Sequence, residues 1–137
     1  MTHEFADEPA EVTLTQDQAL VAVGFAAVSS DGQIGADEVT AVARALSGLG
    51  VLGSDQARDD LLHDVVRLAH THRVGPLTRT ALATLAGDRR EAALRLAFAV
   101  LVVDGNIPDD ELAFARGLQQ ALEISDERYD QLAAAVA

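Results

Sequence analysis

Two short acidic segments carry the residue types that could do chemistry in this chain. The first is SSDGQIGADE, residues 29–38, and the second is VVDGNIPDDE, residues 102–111. Each contains Asp-Gly-x-Ile and then an acidic pair. Carboxylate and carbonyl oxygens are the ligands that Ca²⁺ and Mg²⁺ prefer in proteins. These segments therefore raise the question of a hard divalent cation.

Both segments belong to a longer internal repeat with an offset of 73 residues. FAAVSSDGQIGADE (25–38) aligns without a gap to FAVLVVDGNIPDDE (98–111), and seven of the fourteen positions are identical. Chance would give roughly one identity at these compositions. A helix, an Asp-Gly loop and a second helix therefore occur twice. The repeat predicts two hairpins packed together with pseudo-two-fold symmetry.

Each loop matches only the second half of a twelve-residue calcium-binding loop. When the loop glycine is set at position 6, positions 5, 7 and 12 all offer an oxygen ligand. Positions 1 and 3 hold no carboxylate in either copy. Each loop could bind a cation with few ligands, the two loops could bind one together, or neither could bind. The residues at positions 5, 7 and 12 are Asp31, Gln33 and Glu38 in the first copy, and Asp104, Asn106 and Glu111 in the second.

A purely structural interpretation also fits the loops. Asp-Gly is an ordinary turn, because glycine tolerates a positive φ where a helix ends. The pairs Asp37–Glu38 and Asp110–Glu111 fall in the first turn of the next predicted helix, where acids offset the helix dipole. Turn chemistry explains each loop, but it explains the recurrence of the spacing less well. From the residues, cation binding and turn-and-cap chemistry both stay open.

The elements that must position these loops are helices. Apolar residues recur at helical spacing almost throughout, and no segment alternates as a strand would. The 137 residues, 49% hydrophobic and only 4% aromatic, predict one all-α compact bundle with a core of Leu, Val and Ala. We expect a flexible acidic tail over 1–13 and a single domain over 14–137. The seven predicted helices cover about 15–29, 36–49, 54–74, 77–86, 88–103, 108–123 and 125–136, and Thr15 and Ser125 are the predicted N-caps of the first and the last.

Composition excludes several classes of partner and site. The formal net charge of −12 repels nucleic acid and anionic lipid, and it suits cations or a basic protein surface. The chain has no cysteine, so it can form neither a disulfide nor a thiolate metal site. It shows neither a signal peptide nor an apolar run of the roughly 18 residues that a membrane span needs. We therefore expect a cytoplasmic protein without direct membrane insertion.

At its two Asp-Gly-x-Ile loops the sequence resembles the TerB family of tellurite-resistance proteins, over residues of about 15–136. The resemblance implies an all-helical fold and a divalent metal ion held by facing acidic loop residues. It also implies a non-catalytic role in bacterial stress responses to oxyanions and metals, beside membrane-associated and calcium-binding protein partners. The metal ligands implied by the resemblance are Asp31, Glu38, Asp104 and Glu111, and further candidate ligands are Gln33, Asp37, Asn106 and Asp110.

The chain departs from the family pattern around both loops. Small residues or Ala-Asp-Gly usually precede or form the loop, whereas Ser29-Ser30 and Val102-Val103 stand here. A basic residue often follows the loop Glu, whereas this chain has Val39 and Leu112. These differences bear on the identity of the metal and on the partner surface more than on the fold.

One enzyme alternative rests on the adjacent pair His63-Asp64. Such a pair is typical of all-helical metal phosphohydrolases, which also need a histidine well upstream and an aspartate well downstream. The only upstream histidine is His3, in the predicted tail. Asp60-x-x-His63 resembles half of a di-iron motif, of which only one copy is present. We expect His63, His70 and His72 to lie on or near a solvated helix face.

The sequence therefore predicts a cation-binding, non-catalytic stress-response module that uses Ca²⁺ or Mg²⁺. The alternatives are an acidic protein-interaction domain with purely structural loops and, behind it, a His-Asp phosphohydrolase.

Overall fold

The chain is a bundle of α-helices. The computed structural model describes residues 10–28, 34–49, 55–103 and 109–136, and within these ranges it has seven helices and no strand. This confirms the predicted all-α fold. No helix in the described ranges is both long and apolar enough to cross a bilayer. The helices are α1 Gln16–Val28, α2 Ala36–Leu49, α3 Asp55–His72, α4 Val74–Thr84, α5 Asp88–Val103, α6 Asp109–Ala121 and α7 Asp126–Val136.

Helices α1 and α5 form the centre of the bundle. Every residue of α1 from Ala19 to Ala27 is buried, and a helix that is apolar on all sides must be enclosed by others. Helix α1 packs against α2, α3, α4, α5 and, less extensively, α6. Helix α5, which buries Ala93, Leu94 and most residues up to Leu101, packs against α1, α2, α6 and α7. The core is therefore organised around the two helices that lead into the acidic loops.

A glycine sets the distance between the central helices. A Cβ atom on Gly24 would lie 2.9 Å from Leu96 Cδ2 and 3.4 Å from Val42 Cγ1. The first distance is shorter than a van der Waals contact. Leu96 and Val42 are both completely buried, so neither has free volume into which it could move. The missing side chain of Gly24 therefore allows α1, α2 and α5 to meet at one point.

Two predicted N-caps are present. The hydroxyl of Thr15 accepts a hydrogen bond from the N–H of Gln18 at 3.0 Å, and Gln18 Oε1 accepts one from the N–H of Thr15 at 2.9 Å. This reciprocal pair is a capping box. The Ser125 hydroxyl likewise accepts a hydrogen bond from the N–H of Arg128 at 3.1 Å. The sequence therefore placed the starts of α1 and α7 correctly.

The start of α4 was predicted wrongly. The sequence suggested that α4 begins at Leu77, after Gly75-Pro76, but the structure begins it at Val74. Pro76 is then the third helical residue, where its missing N–H would have had no intrahelical acceptor. The chain turns instead at Arg73, whose φ is 73° and ψ 153°. Proline is tolerated here because it lies in the first helical turn.

The ends of α4 and α6 also differ from the prediction. Helix α4 ends at Thr84, because Leu85 turns to an extended conformation and enters the core with 2% of its surface exposed. Helix α6 ends at Ala121, and the N–H of Ile124 donates to the carbonyl of Gln119 at 3.0 Å. This closure is a Schellman motif, in which Glu123 takes a left-handed conformation with φ 58°.

The segment before α1 contacts α4. The N–H of Ala10 donates to the carbonyl of Pro76 at 3.1 Å, and the Thr80 hydroxyl donates to the carbonyl of Ala10 at 2.9 Å. Val12 packs against the core and Leu14 is buried. Residues 1–9, most of the predicted flexible tail, lie outside the described part of the chain.

Helix α7 is attached to α5 through Tyr129. The ring of Tyr129 packs edge-on against Phe98, with centroids 5.2 Å apart, and the Arg116 guanidinium lies 3.8 Å from the centre of the Tyr129 ring. The buried Gln119 amide donates to the Ile124 carbonyl at 3.0 Å and to Asp126. These contacts fix the position of α7 against α5 and α6.

The close approach at Gly24 predicts opposite effects for one substitution at two sites. The free energy of unfolding of Gly24→Ala should be more than about 1 kcal/mol below that of Gly48→Ala, because the new methyl group at position 24 overpacks a full core. A Cβ atom on Gly48 meets nothing within 4 Å, so Gly48→Ala should stabilise α2 by up to about 1 kcal/mol. Urea unfolding measures both values. Equal effects at the two sites would show that α1 and α5 are not in tight contact at Gly24.

The left-handed residue that closes α6 predicts a stabilising mutation. Glu123→Gly should raise the free energy of unfolding by about 0.5–1 kcal/mol, because glycine adopts this φ without strain. The exposed pair between Glu123 and Arg90, 3.4 Å apart, contributes little to offset that gain. Glu127→Gly, inside α7, is the control and should lose about 1 kcal/mol. Thermal unfolding compares the variants, and destabilisation by Glu123→Gly would contradict the left-handed conformation.

Candidate functional site

The acidic loops are the candidate site, and the structure describes part of each. Four predicted ligands, Asp31, Gln33, Asp104 and Asn106, lie outside the described residues. Asp110 and Glu111 belong to the first turn of α6, whose backbone is helical. Asp37 and Glu38 lie in the first turn of α2, where Asp37 is exposed and Glu38 is partly buried. The prediction that the acidic pairs open the following helices is therefore confirmed.

Glu38 has a structural role in the described chain. Its Oε1 atom accepts a hydrogen bond from the N–H of Gly35 at 3.3 Å. The carbonyl of Gly35 accepts the first helical bond, from the N–H of Val39 at 3.1 Å. Gly35 is therefore the N-cap of α2, and Glu38 is the N3 residue that reaches back to it. This is the turn-and-cap role that the sequence left open for Glu38.

The cap of α2 is weaker than the cap of α1. In α1, Thr15 and Gln18 exchange two hydrogen bonds, whereas the glycine at the start of α2 has no side chain to offer in return. The single bond that Glu38 makes is long, and Gly35 is exposed. A long bond to an exposed donor contributes at most about 0.5–1 kcal/mol of net stability. The Glu38 carboxylate can therefore exchange this bond for a stronger partner at small cost.

The contact between α1 and α5 at Gly24 and Leu96 brings the starts of both loops into one region of the bundle. Gly24 lies four residues before the end of α1, and Leu96 lies seven residues before the end of α5. At 1.5 Å per residue, α1 ends about 6 Å and α5 about 10 Å beyond the point where the helices meet. The helices that follow begin at Ala36 and Asp109, which is the same offset of 73 residues as the repeat. The pseudo-two-fold relation of the hairpins stays a prediction.

Outside the loops, the described residues include no group of three His, Asp or Glu side chains that could hold a metal ion. His63 and His70 are exposed and His72 is partly buried, on α3. Asp64 accepts a hydrogen bond from Arg67 at 2.7 Å on the same helix. These histidines thus lie on or near the solvated face that the sequence predicted.

Comparison with known proteins identifies the family. The family model for tellurite resistance protein TerB matches residues 17–134. The chain belongs to the TerB family. No curated protein and no solved structure matches it significantly. The resemblance seen at the two acidic loops is confirmed, and it extends through all the helices from α1 to most of α7.

One site residue was missed by the sequence analysis of this TerB-family chain. Gly35 was not singled out, although it is the donor that Glu38 engages. Gly-x-x-Glu at 35–38 has the spacing of an N-cap and its N3 acid. That spacing was visible in the sequence, but the acids at the helix start were considered only as possible metal ligands or as charges that offset the helix dipole.

The capping bond of Glu38 predicts a difference between two substitutions. Glu38→Ala should destabilise the chain by about 0.5–1 kcal/mol more than Glu38→Gln, because glutamine keeps the acceptor for the Gly35 N–H. Both variants lose the same charge at the helix N-terminus, so their difference isolates the hydrogen bond. Urea unfolding in chelator-treated buffer measures it. Equal stabilities would mean that Glu38 does not cap α2.

Proposed function

We propose that this TerB-family chain is a non-catalytic stress-response module that binds a divalent cation through its two acidic loops. The candidate ligands are the loop acids Asp31 and Asp104 and the helix-opening acids Glu38 and Glu111. The main support is the position of the described acid Glu38. It stands in the first turn of α2, next to the Asp-Gly loop, and is held by one long hydrogen bond.

The donor chemistry fits a hard cation. All four candidate ligands are carboxylates, and oxygen ligands of this kind suit Ca²⁺ or Mg²⁺ rather than metals that prefer thiolate or imidazole. Further oxygen donors would come from Gln33, Asp37, Asn106 and Asp110. A bound cation would offset the repulsion among acids in a chain of net charge −12, and it would link the two hairpins.

The proposed place of action is the cytoplasm, in a response to tellurite-type stress carried out together with protein partners. The acidic surface suits a basic face on such a partner. The cation would act by holding the two hairpins in one arrangement, so that the partner meets a fixed surface. No step of this mechanism requires a reaction at the metal.

A second candidate function is an acidic interaction domain whose loops are only structural. The capping bond from Gly35 to Glu38 favours it, since this bond gives the acid a role without a metal. The two candidates differ in what the loop acids do when a cation is added. Cation binding requires that Glu38 contribute to affinity, whereas the structural alternative requires only that it stabilise α2.

The test is an NMR titration of the chelator-stripped chain with Ca²⁺, Mg²⁺, Mn²⁺ and Zn²⁺. The amide signals of Gly32 and Gly105 should shift saturably at sub-millimolar Ca²⁺ or Mg²⁺. At a cation concentration about 100 times the dissociation constant, the chain should gain about 2.7 kcal/mol of stability. The double variant Glu38→Gln/Glu111→Gln should lose both effects.

The matched control is Asp59→Asn/Asp60→Asn, which removes two exposed acids of α3. It changes the net charge equally but leaves the loops intact, so it should keep the saturable shifts. If neither glycine signal moves while the fold stays intact, the loops are turns and caps, and the interaction domain is the better description.

A further inference from the structure

A charged groove lies between the first turns of α5 and helix α7. It is an open cavity of about 430 Å³, within the range typical of small-ligand sites. Ala92 of α5 has the smallest side chain in the lining, and the other lining residues are charged. The residues that line this α5–α7 groove are Asp88, Arg89, Glu91, Ala92, Arg95 and Arg128.

Two of the arginines are held in place by acids from other helices. Arg128 of α7 donates from Nε and Nη2 to Glu91 Oε1 of α5, at 3.0 and 2.8 Å. Its Nη1 donates to Gln131 at 2.8 Å. Arg89 pairs with Asp17 of α1. The hydrogen bond from Arg128 holds the pKa of Glu91 below its ordinary value, so this pair is charged at neutral pH. The walls of the groove are therefore fixed before any ligand arrives.

Arg95 differs from these two arginines. It is partly buried and its charge helps to lower the pKa of Glu91, but it forms no hydrogen bond or ion pair with any residue that the structure describes. It lies one helical turn after Glu91 on α5, so its stem faces the same groove. A guanidinium stays charged at every physiological pH and carries five N–H donors. Arg95 thus gives the groove a charged group whose N–H donors have no partner among the residues that the structure describes.

The charge of the lining selects an anion. The lining residues are three arginines against Asp88 and Glu91, and Asp17 and Glu91 pair with Arg89 and Arg128, so Arg95 is the arginine whose charge no ion pair among the described residues offsets. The two acids and the negative surface disfavour a ligand with several negative charges. A planar guanidinium forms bidentate pairs with carboxylate and with phosphate, so the charge of the ligand decides between them. A singly charged carboxylate therefore fits the groove better than a phosphate dianion.

We propose that the α5–α7 groove binds a carboxylate group, with Arg95 as the principal donor and Arg128 beside it. The carboxylate belongs either to a small organic acid or to an acidic side chain of a protein. This site is independent of the acidic loops, and it uses none of the proposed metal ligands. Because the groove is open, a lone carboxylate should bind in the millimolar range.

The test uses the full ¹⁵N-labelled chain and sodium acetate, with sodium chloride at equal ionic strength as the reference. The amide of Ala92 and the Nε–H signal of Arg95 should shift saturably with acetate and not with chloride. Arg95→Gln should weaken acetate binding at least fivefold. The matched control is Arg79→Gln on α4, an exposed arginine outside the groove, which should leave acetate binding unchanged.

A glutamate peptide, compared with acetate, identifies the source of the carboxylate, and inorganic phosphate tests the selectivity of the groove. Tighter binding of a peptide with blocked termini and a single glutamate assigns the groove to an acidic side chain, and tighter binding of acetate assigns it to a small acid. Inorganic phosphate should bind more weakly than both. The proposal is overturned if phosphate binds most tightly, if chloride reproduces the acetate shifts, or if Arg95→Gln binds acetate as well as the parent chain does.

Discussion

The contact between α1 and α5 at Gly24 is the constraint on which the rest of this bundle depends. A core built from Leu, Val and Ala, with few aromatic rings, fills space only if the helix backbones come close together. Gly24 permits that approach, since any side chain there would overlap Leu96. Because α1 packs against five other helices and α5 against four, their separation sets the positions of the remaining five.

The same contact relates the fold to the candidate site. The central helices are the ones that lead into the Asp-Gly loops, and α2, which follows the first loop, meets both of them through Val42. The two helices that precede the loops bury more residues than the other helices of the described core do. The acidic pairs open the helices that follow the loops, and of the described side chains Asp37 is exposed and Glu38 is partly buried.

Charge is distributed unevenly over this framework. The chain has 22 acids and ten basic residues, all of which are arginines. The ion pairs formed by Arg89 and Arg128 join α5 to α1 and α7. Such partly exposed pairs add little stability. Their larger effect is to hold Arg89 and Arg128 in fixed positions beside Arg95, so that arginines are concentrated at one groove of an otherwise acidic molecule.

Much of this protein was predictable from local sequence. Helical periodicity, the caps at Thr15 and Ser125 and the acidic helix starts depend on neighbours within a few residues, and the structure agrees with them. The capping role of Glu38 was also local, and its spacing from Gly35 was overlooked. What tertiary packing decided was different in kind. Leu85 is not part of α4 but is extended and buried in the core. Arg95 and Arg128 line the same groove because Tyr129 packs α7 against α5. Such contacts join residues more than thirty positions apart, and no pattern within one helix encodes them.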